Sequence, residues 1–447
     1  MGKPVLLLGG SKTDHIFLLD DLKTHLDEIQ TAEANYVRNT MSQREGKDLK
    51  PHKLLSDGRF DLDQWNQEYW KRFQNMLKWA AEREIFVQIE VWDRFDYADW
   101  GQSELEKCWQ NSPWNPKNNI NYSYAQSGFA KQYVDGQLYR DEHPFFHTIE
   151  GTSHYISRYD LIRRYQEQFV TKMLDCSLPY GHVLYCMNNE TSSEAGWGQH
   201  WIQFIKAKAA EKDVTVCTTD MFDDAFQAEQ AEHTPIIFND AEHYMFADIS
   251  QVNSRNYDQT HWDRLQWLLR QVNNTHPRPS NHTKIYGSGY YAFGTGGPED
   301  GVERFWRNIL GGSASARFHR PDWGNGLSDF AKASIKAARI LEGLIKFWDI
   351  TPQMGLVSDR ESNEAYLAAK PGESYVLYFT NGGSVGLDLS CATGSFDVTW
   401  ISVAMGVRTR TSAAGGYRLM KKTIEGGGVV TISAPYKGGW VVAIVKK

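Results

Sequence analysis

Hydrophobic and polar residues over positions 1–350 form short apolar runs that alternate with longer amphipathic stretches. This alternation is typical of parallel βα units. It predicts eight strands, at Val5–Leu8, Ala34–Arg38, Ile85–Val91, His182–Met187, Val214–Thr218, Met245–Ile249, Lys284–Tyr286 and Ala314–Phe318. Apolar residues at three- and four-residue intervals predict helices at Leu62–Glu84, Tyr159–Leu174, Gly198–Ala210, Trp262–Val272, Val302–Ile309 and Ser328–Trp348.

The pattern changes after Ile350, where short alternating runs are separated by turn signals such as Gly382-Gly383. Strands are predicted at Glu364–Ala369, Ser374–Phe379, Val385–Leu389, Phe396–Val403, Val429–Ile432 and Trp440–Val445. The chain is therefore expected to be an α/β protein, with a (β/α)8 barrel over residues 1–350 and a small antiparallel β-sandwich over residues 351–447. No low-complexity linker separates the two parts, so a fixed interface between them is expected.

Composition restricts the partners of this chain. Its formal net charge of −7 and its lack of a basic tract argue against a nucleic-acid partner. No apolar run approaches the roughly 20 residues that cross a bilayer, so a soluble protein without a membrane partner is expected. We expect a precursor that is secreted or periplasmic, with a leader removed. The oligomeric state is not predicted by the sequence.

The cysteine and histidine residues give no metal or disulfide signature. The five cysteines are scattered without a Cys-x-x-Cys pair, and no His-x-x-x-His with a partnering carboxylate occurs in a predicted helix. No metal or cofactor is therefore expected.

Aromatic side chains in polar stretches suggest the class of ligand. The chain has 16 Trp residues, and several of them, including Trp92, Trp114 and Trp197, lie in loop-like segments. Flat apolar faces with a polar edge suit sugar rings, although packing beneath long loops explains any single Trp equally well. Taken together, they favour a carbohydrate ligand.

The end of the fourth predicted strand supplies the first candidate for chemistry. An apolar run ends abruptly in Asn189 and Glu190. Since active sites of α/β barrels lie at the carboxyl ends of the strands, Glu190 is predicted to be a general acid/base of glycoside hydrolysis. The alternative is a loop residue near the start of the next helix, a role that Thr191, Ser192 or Ser193 would fill better.

Glycoside hydrolysis needs a second carboxyl group, which acts as a nucleophile or activates water. Asp220 directly follows the fifth predicted strand and is the preferred partner of Glu190. Helix capping explains Asp220, or the nearby Asp223, equally well. The sequence does not decide between retention and inversion of configuration.

Several segments resemble the apiosidase-like glycoside hydrolases. These are Pro-Val-Leu-Leu-Leu-Gly-Gly at the start, Val-Gln-Ile-Glu-Val-Trp-Asp at 87–93, Asn-Glu at 189–190, Asp-Ile-Ser-Gln at 248–251 and Gly-Gly-Ser-Ala-Ser-Ala-Arg at 311–317. The resemblance implies a barrel of the clan A type, with Glu190 as the acid/base. It also implies a C-terminal sandwich of the kind often labelled a collagen-binding domain.

The sequence departs from this family after the seventh predicted strand, where a nucleophilic Glu is expected and Ser288 is found. Three explanations are open. Asp220 or another carboxylate could serve instead, the position could have been engineered, or the protein could be a glycan-binding barrel without catalytic activity.

The remaining site residues are predicted from their positions at strand ends. Arg94 and Arg317 would pair with the acidic groups of a uronate-containing or sulfated glycan, or else would hold carboxylates of the barrel itself. Arg317 and His319 would also suit a polysaccharide lyase, which is the weakest of the alternatives. The full set of predicted substrate-binding residues is Asn189, Trp92, Asp93, Arg94, Trp114, Trp197, Gln251, Tyr286, Ser288, Arg317 and His319.

Overall fold

The computed structural model describes residues 3–42, 49–101, 103, 106–134, 143–190, 194–223, 234–291, 294–403 and 420–447. Residue contacts divide the chain into two compact units. Unit one comprises Met1–Thr13, Glu28–Tyr36 and Ile249–Lys447, and unit two comprises Asp14–Asp27 and Val37–Asp248. The predicted strands before Ile350 are therefore distributed over both units.

In the described ranges before the C-terminal sheets, the strands are β1 Leu7–Gly10, β2 Tyr36–Thr40, β3 His52–Leu54, β4 Phe60–Trp65, β5 Phe86–Asp93, β6 Val183–Asn189, β7 Cys217–Thr219, β8 Ala247–Asp248, β9 Ser280–Asn281 and β10 Ser315–Phe318. Six of them form a parallel sheet in the order β10-β1-β2-β5-β6-β7. The α/β class with parallel strands is thus confirmed.

The helices are α1 Leu22–Thr31, α2 Gln67–Ala81, α3 Cys108–Asn111, α4 Tyr124–Ser127, α5 Asp160–Ser177, α6 Ala195–Ala210, α7 Thr234–Asn239, α8 Asp258–Thr275, α9 Pro298–Leu310 and α10 Asp329–Leu344. Short 3₁₀ turns lie at Ile16–Leu18, Arg94–Tyr97, Pro144–Phe146, Ser157–Tyr159, Ser250–Asn253, Phe347–Asp349 and Met354–Leu356. Within the described ranges, no helix combines the length and the apolar character needed to cross a bilayer.

The start of α2 differs from the prediction. The predicted helix began at Leu62, but Phe60–Trp65 is a strand that pairs with His52–Leu54 in a hairpin. Asn66 has an extended backbone, and its side chain accepts a hydrogen bond from the Glu68 N–H at 3.1 Å. This N-cap begins the helix after Asn66.

The end of the chain forms two antiparallel sheets. Their strands are β11 Thr351–Pro352, β12 Val357–Ser358, β13 Ala365–Lys370, β14 Ser374–Phe379, β15 Ser384–Asp388, β16 Ser395–Ser402, β17 Met420–Glu425, β18 Val429–Ser433 and β19 Trp440–Lys446. One sheet has the order β11-β13-β14-β19-β16-β17 and the other β12-β15-β18. Leu377 and Val442 of the first sheet share a buried core with Leu387 and Ile432 of the second, as expected for a sandwich.

Aromatic contacts in unit one join this sandwich to the preceding helices. The rings of Trp306 and Tyr378 stack at 5.5 Å, and those of Trp262 and Tyr366 lie 4.9 Å apart. The buried Arg307 also donates from Nη1 to Asn363 Oδ1 at 2.8 Å. These contacts agree with the expected fixed interface.

Candidate functional site

Glu190 directly follows the buried strand β6 and is itself partly exposed. Its φ of 53° lies in the left-handed region, which is disfavoured for residues other than glycine. Glu33, Glu84 and Asp213 also have positive φ, but each follows the end of a helix, where this conformation is common. Glu190 follows a strand instead, so its conformation calls for a local cause.

Asp220 binds the residue two positions before Glu190. The Asn188 N–H and Nδ2 donate to Asp220 Oδ1 at 3.0 and 2.9 Å, and Nδ2 also lies 3.0 Å from Oδ2. The Met221 N–H donates to Oδ1 at 2.8 Å. Asp220 is 0% exposed, so in this structure its carboxylate is directed at the protein.

Helix α6 closes the other side of Asp220. A Cβ atom added to Gly198 would lie 2.2 Å from Asp220 Oδ2, which is far inside van der Waals contact. Only glycine therefore fits at position 198 with this carboxylate in place.

Asp93 makes a similar contact with Asn189. Asn189 Nδ2 donates to Asp93 Oδ2 at 3.1 Å, and the two residues are register partners in the β5–β6 pair. The Phe95 N–H donates to the other oxygen, Oδ1, at 3.1 Å, so Asp93 also caps the 3₁₀ turn Arg94–Tyr97. Asp93 and Asn189 are both buried.

Arg94 forms an ion pair with Asp223, with Nη1 to Oδ2 at 3.0 Å. The Arg94 side chain is 3% exposed and that of Asp223 is 24% exposed. The pair thus leaves a partly exposed carboxylate in the segment after β7.

An arginine and two carboxylates lie fully buried in unit two. Arg38 contacts both oxygens of Glu90 at 2.6 Å, and its Nη1 lies 2.8 Å from Asp14 Oδ2. Burial lowers the pKa of Arg38, but Asp14 and Glu90 outweigh it, so that the pKa is well above its ordinary value. The guanidinium stays charged and makes a bidentate bridge.

The surroundings of Cys186 show that this part of unit two is acidic. Burial raises the pKa of the Cys186 thiol well above its ordinary value, and Glu90, Asp248 and Asp220 raise it further. Carboxylates from three strand segments therefore act on one buried position.

The structure buries the three Trp side chains that were predicted as subsites. Trp92, Trp114 and Trp197 are at most 2% exposed, so none of them offers a face to a ligand. The Trp92 ring packs among Phe145, Phe169, Trp197 and Trp201 at centroid distances of 5.3 to 6.1 Å. Trp114 packs against His52 and Phe145. These rings form a core beneath the loops, which is the alternative that the sequence left open.

The two arginines that were predicted to contact an acidic glycan contact the protein itself. Arg317 is 0% exposed and donates from Nη1 to the Thr283 carbonyl at 2.7 Å and from Nη2 to Ser11 Oγ. Arg94 holds Asp223, a carboxylate of the protein itself. Neither guanidinium is directed at solvent, where an acidic sugar could approach it.

The other predicted residues lie in unit one. Ser288 is 1% exposed, and its hydroxyl donates to the Asp322 carbonyl at 3.1 Å. The Tyr286 ring lies 4.9 Å from that of His319 and 6.2 Å from that of Trp323, so these three form one cluster. Gln251 is buried in the 3₁₀ turn Ser250–Asn253.

Asp14, Arg38 and Asn188 were not predicted as site residues. Arg38 lies in the middle of β2, where a buried charge requires a buried partner, but the predicted strand ended at Arg38 and did not show this. Asn188 directly precedes the predicted pair Asn189-Glu190, but its contact with Asp220 joins positions 32 residues apart.

Comparisons with known proteins give the fold. No family model matches this chain, and no curated protein sequence matches it significantly. A solved glycoside hydrolase family 5 protein from Bacteroides vulgatus ATCC 8482 is 12% identical with a TM-score of 0.64, and the match covers 100% of this chain and 90% of that chain. Another solved glycoside hydrolase is 12% identical with a TM-score of 0.65, covering 100% and 94%. Eubacterium rectale Amy13B is 11% identical with a TM-score of 0.53, covering 100% and 97%.

These matches span nearly the full length of each solved chain, including the C-terminal sheets of this protein. At such low identity they establish a shared fold only, because one fold carries many chemistries.

Proposed function

We propose that this protein hydrolyses O-glycosidic bonds in a poly- or oligosaccharide, with Glu190 as the general acid/base. The observation that carries the proposal is the placement of Glu190. It is partly exposed directly after a buried parallel strand and has a left-handed conformation, and the two residues before it are hydrogen-bonded to Asp220 and Asp93. Active sites in barrels of this kind lie at strand ends, and a positioned carboxyl group there can protonate a leaving oxygen.

The second carboxyl group has two candidates. Asp220 is the one predicted from the sequence, but both of its oxygens are engaged by Asn188 and Gly198 closes the space beside Oδ2. Asp223 in the same segment is partly exposed and is held by Arg94. We therefore propose Asp223 as the candidate to test first, with Asp220 beside it.

A closed eight-stranded barrel is part of the proposal. In unit two, the Met245 N–H donates to the Thr218 carbonyl at 2.8 Å, which adds a strand segment beside β7. In unit one, the Ile249 N–H donates to the Asn281 carbonyl and the Ile285 N–H to the Arg317 carbonyl, both at 3.0 Å. These bonds favour pairing along the whole predicted series of strands.

The finer assignments are also proposals. The short motifs around Glu90, Glu190 and Gln251 favour the apiosidase-like subfamily, and the sandwich is proposed to be the module often labelled a collagen-binding domain, in a packing or accessory role. A secreted or periplasmic precursor agrees with a polysaccharide substrate. The acidic-glycan preference remains a prediction, and the internal contacts of Arg94 and Arg317 give it no support.

A second candidate function is glycan binding without cleavage. It is favoured by Ser288, which lies where the family pattern expects a nucleophilic carboxylate and whose hydroxyl is bound to the Asp322 carbonyl. The partly exposed Glu190 favours hydrolysis instead.

The test is a screen for newly formed reducing ends on neutral, uronate-containing and sulfated polysaccharides. Wild type is compared with Glu190→Gln, Asp220→Asn and Asp223→Asn. Hydrolysis predicts release by wild type and loss of release in Glu190→Gln. Binding without release by any of the proteins would support the second candidate, and an unsaturated ultraviolet-absorbing product would indicate a lyase.

A further inference from the structure

Two buried aspartates bind the two residues that precede Glu190. Asp220 accepts the backbone N–H and the side-chain amide of Asn188, and Asp93 accepts the side-chain amide of Asn189. Their exposures are 0% and 1%, so water competes little for these bonds. Both Asn residues are thereby fixed relative to neighbouring segments of unit two.

The aspartates are in turn held in place. Asp220 accepts the N–H of Met221 and abuts Gly198 of helix α6. Asp93 accepts the N–H of Phe95 at the start of a 3₁₀ turn. Neither carboxylate can therefore turn away without breaking a second contact.

We propose that Asp220 and Asp93 are positioning residues that fix Asn188 and Asn189 and thereby hold Glu190 in its left-handed conformation. A left-handed residue other than glycine costs about 1 to 3 kcal/mol and persists only where its surroundings determine it. Held in this way, the Glu190 carboxyl group keeps one direction toward a bound substrate. The proposal rests on the proposed function for the role of Glu190, but the geometry it describes can be tested without substrate.

This role differs from that of a second reacting carboxylate. A nucleophile, or a base that activates water, needs an oxygen that can reach the anomeric carbon or that water. The Asp220 oxygens are instead directed at Asn188 and at the space beside Gly198. A substitution that keeps the Asp220 carboxylate but moves it distinguishes the positioning role from the reacting role.

Gly198→Ala is that substitution. Its methyl group would overlap Asp220 Oδ2 and displace the carboxylate, while the charges at positions 190 and 220 stay unchanged. The matched control is Gly196→Ala in the same helix, where the nearest atom to an added Cβ is Thr152 Cγ2 at 3.7 Å, an ordinary contact. Both variants replace a glycine in the first turn of α6 by alanine, which favours the helix, so a loss of activity in Gly198→Ala alone reports the overlap.

Asp220→Asn is the second variant, and it keeps the size of the side chain. Its amide group would bring a donor to face the Asn188 amide, which is also a donor, so one of the present bonds is lost. Asp220→Asn replaces Gly198→Ala as the test variant if Gly198→Ala fails to fold, which thermal unfolding would show.

Crystal structures are determined for wild type, Gly198→Ala and Asp220→Asn. The kcat and KM values of these proteins and of Gly196→Ala are measured on the polysaccharide found by the screen. In the variant crystals we expect Asn188 to leave its present contact and the φ of Glu190 to leave the left-handed region. We expect kcat to fall about 10- to 100-fold with little change in KM, and Gly196→Ala to match wild type. The alkaline limb of the pH profile, which reports the acid form of Glu190, should also shift.

An unchanged Glu190 backbone in both variant crystals would overturn the proposal. A loss of activity in Asp220→Asn with unchanged geometry would restore Asp220 as a reacting group. If wild type cleaves nothing, the proposed function fails, whereas the crystal structures still decide whether the aspartates hold Glu190.

Discussion

At the scale of single residues, burial separates the carboxylates that lie in, or directly after, the strands of unit two. Glu90, Asp93, Asp220 and Asp248 are at most 1% exposed, whereas Glu190 is partly exposed. A group that meets substrate must be reachable, and this contrast is the reason that Glu190 is proposed as the reacting group. The sequence also favoured Asp220, because Asp220 and Glu190 both follow an apolar run and burial cannot be read from that pattern.

The position of Glu190 could be predicted because an apolar run ends there, and this is a local signal. The contacts of Asp220 and Arg317 could not, because they depend on residues 32 and 306 positions away in the chain. A local pattern shows that a polar side chain follows a strand, but not which way it is directed.

The buried Arg38 gives a prediction about stability. Arg38→Met would leave Asp14 and Glu90 buried without their cation, and we expect a loss of about 3 to 5 kcal/mol in the free energy of unfolding. Arg38→Lys should recover only part of it, because an ammonium group cannot form the bidentate bridge. Urea unfolding measures both.

The control for Arg38 is Arg59→Met, which breaks the exposed pair with Asp57. Such pairs contribute about 0 to 1 kcal/mol, so little change is expected. If Arg38→Met and Arg59→Met lost the same free energy of unfolding, the buried ion pairs of Arg38 would contribute no more to stability than the exposed pair.

At the scale of elements, strands and helices with a clear period were predicted well, and their ends less so. Ser374–Phe379 agrees with the structure at both ends, because alternation and turns bound it on each side. The start of α2 was wrong because Leu62 and Trp65 fit a helical period but belong to a hairpin strand. Pairing with His52–Leu54 decided the conformation, and that pairing is not visible in a local pattern.

The hairpin gives a prediction about pH. Burial lowers the pKa of His52 to about 3, although Asp61 opposes the shift. An unfolded His has a pKa of about 6.5, so between about pH 3 and 6.5 the unfolded chain binds more protons than the folded one. Stability is therefore expected to fall as the pH decreases through this range.

His52→Phe should weaken that dependence, because the variant removes the group that takes up a proton on unfolding. The pKa of His282 is also lowered to about 3 by burial, so part of the dependence should remain. Urea unfolding between pH 4 and 7 measures the slope. An identical slope in wild type and variant would contradict the assignment to His52.

At the scale of the molecule, the C-terminal sandwich belongs to the same compact unit as helices α8 and α9. The sequence predicted the change of architecture at residue 351 because a period of two replaces βα alternation there. It did not show that Trp262 and Trp306 pack against Tyr366 and Tyr378.

These contacts predict that the sandwich stabilises the rest of unit one. Tyr378 is 1% exposed and stacks on Trp306, so Tyr378→Ala should lower the free energy of unfolding by about 3 to 5 kcal/mol. Tyr436→Ala is the matched control, because Tyr436 is 63% exposed and its loss should cost about 0.5 kcal/mol or less. If the two variants melted at the same temperature, the contact between the sandwich and helix α9 would contribute little to the stability of unit one.

If Glu190 protonates the leaving oxygen, the effect of its removal must depend on the leaving group. A phenolate with a low pKa departs without a proton, whereas a sugar alcohol needs one. We would compare kcat/KM of wild type and Glu190→Gln on the natural oligosaccharide and on a nitrophenyl glycoside of the same sugar. We expect kcat/KM of Glu190→Gln to fall about 10²- to 10⁴-fold on the oligosaccharide and much less on the nitrophenyl glycoside. An equal loss on both substrates, or no loss on either, would contradict it.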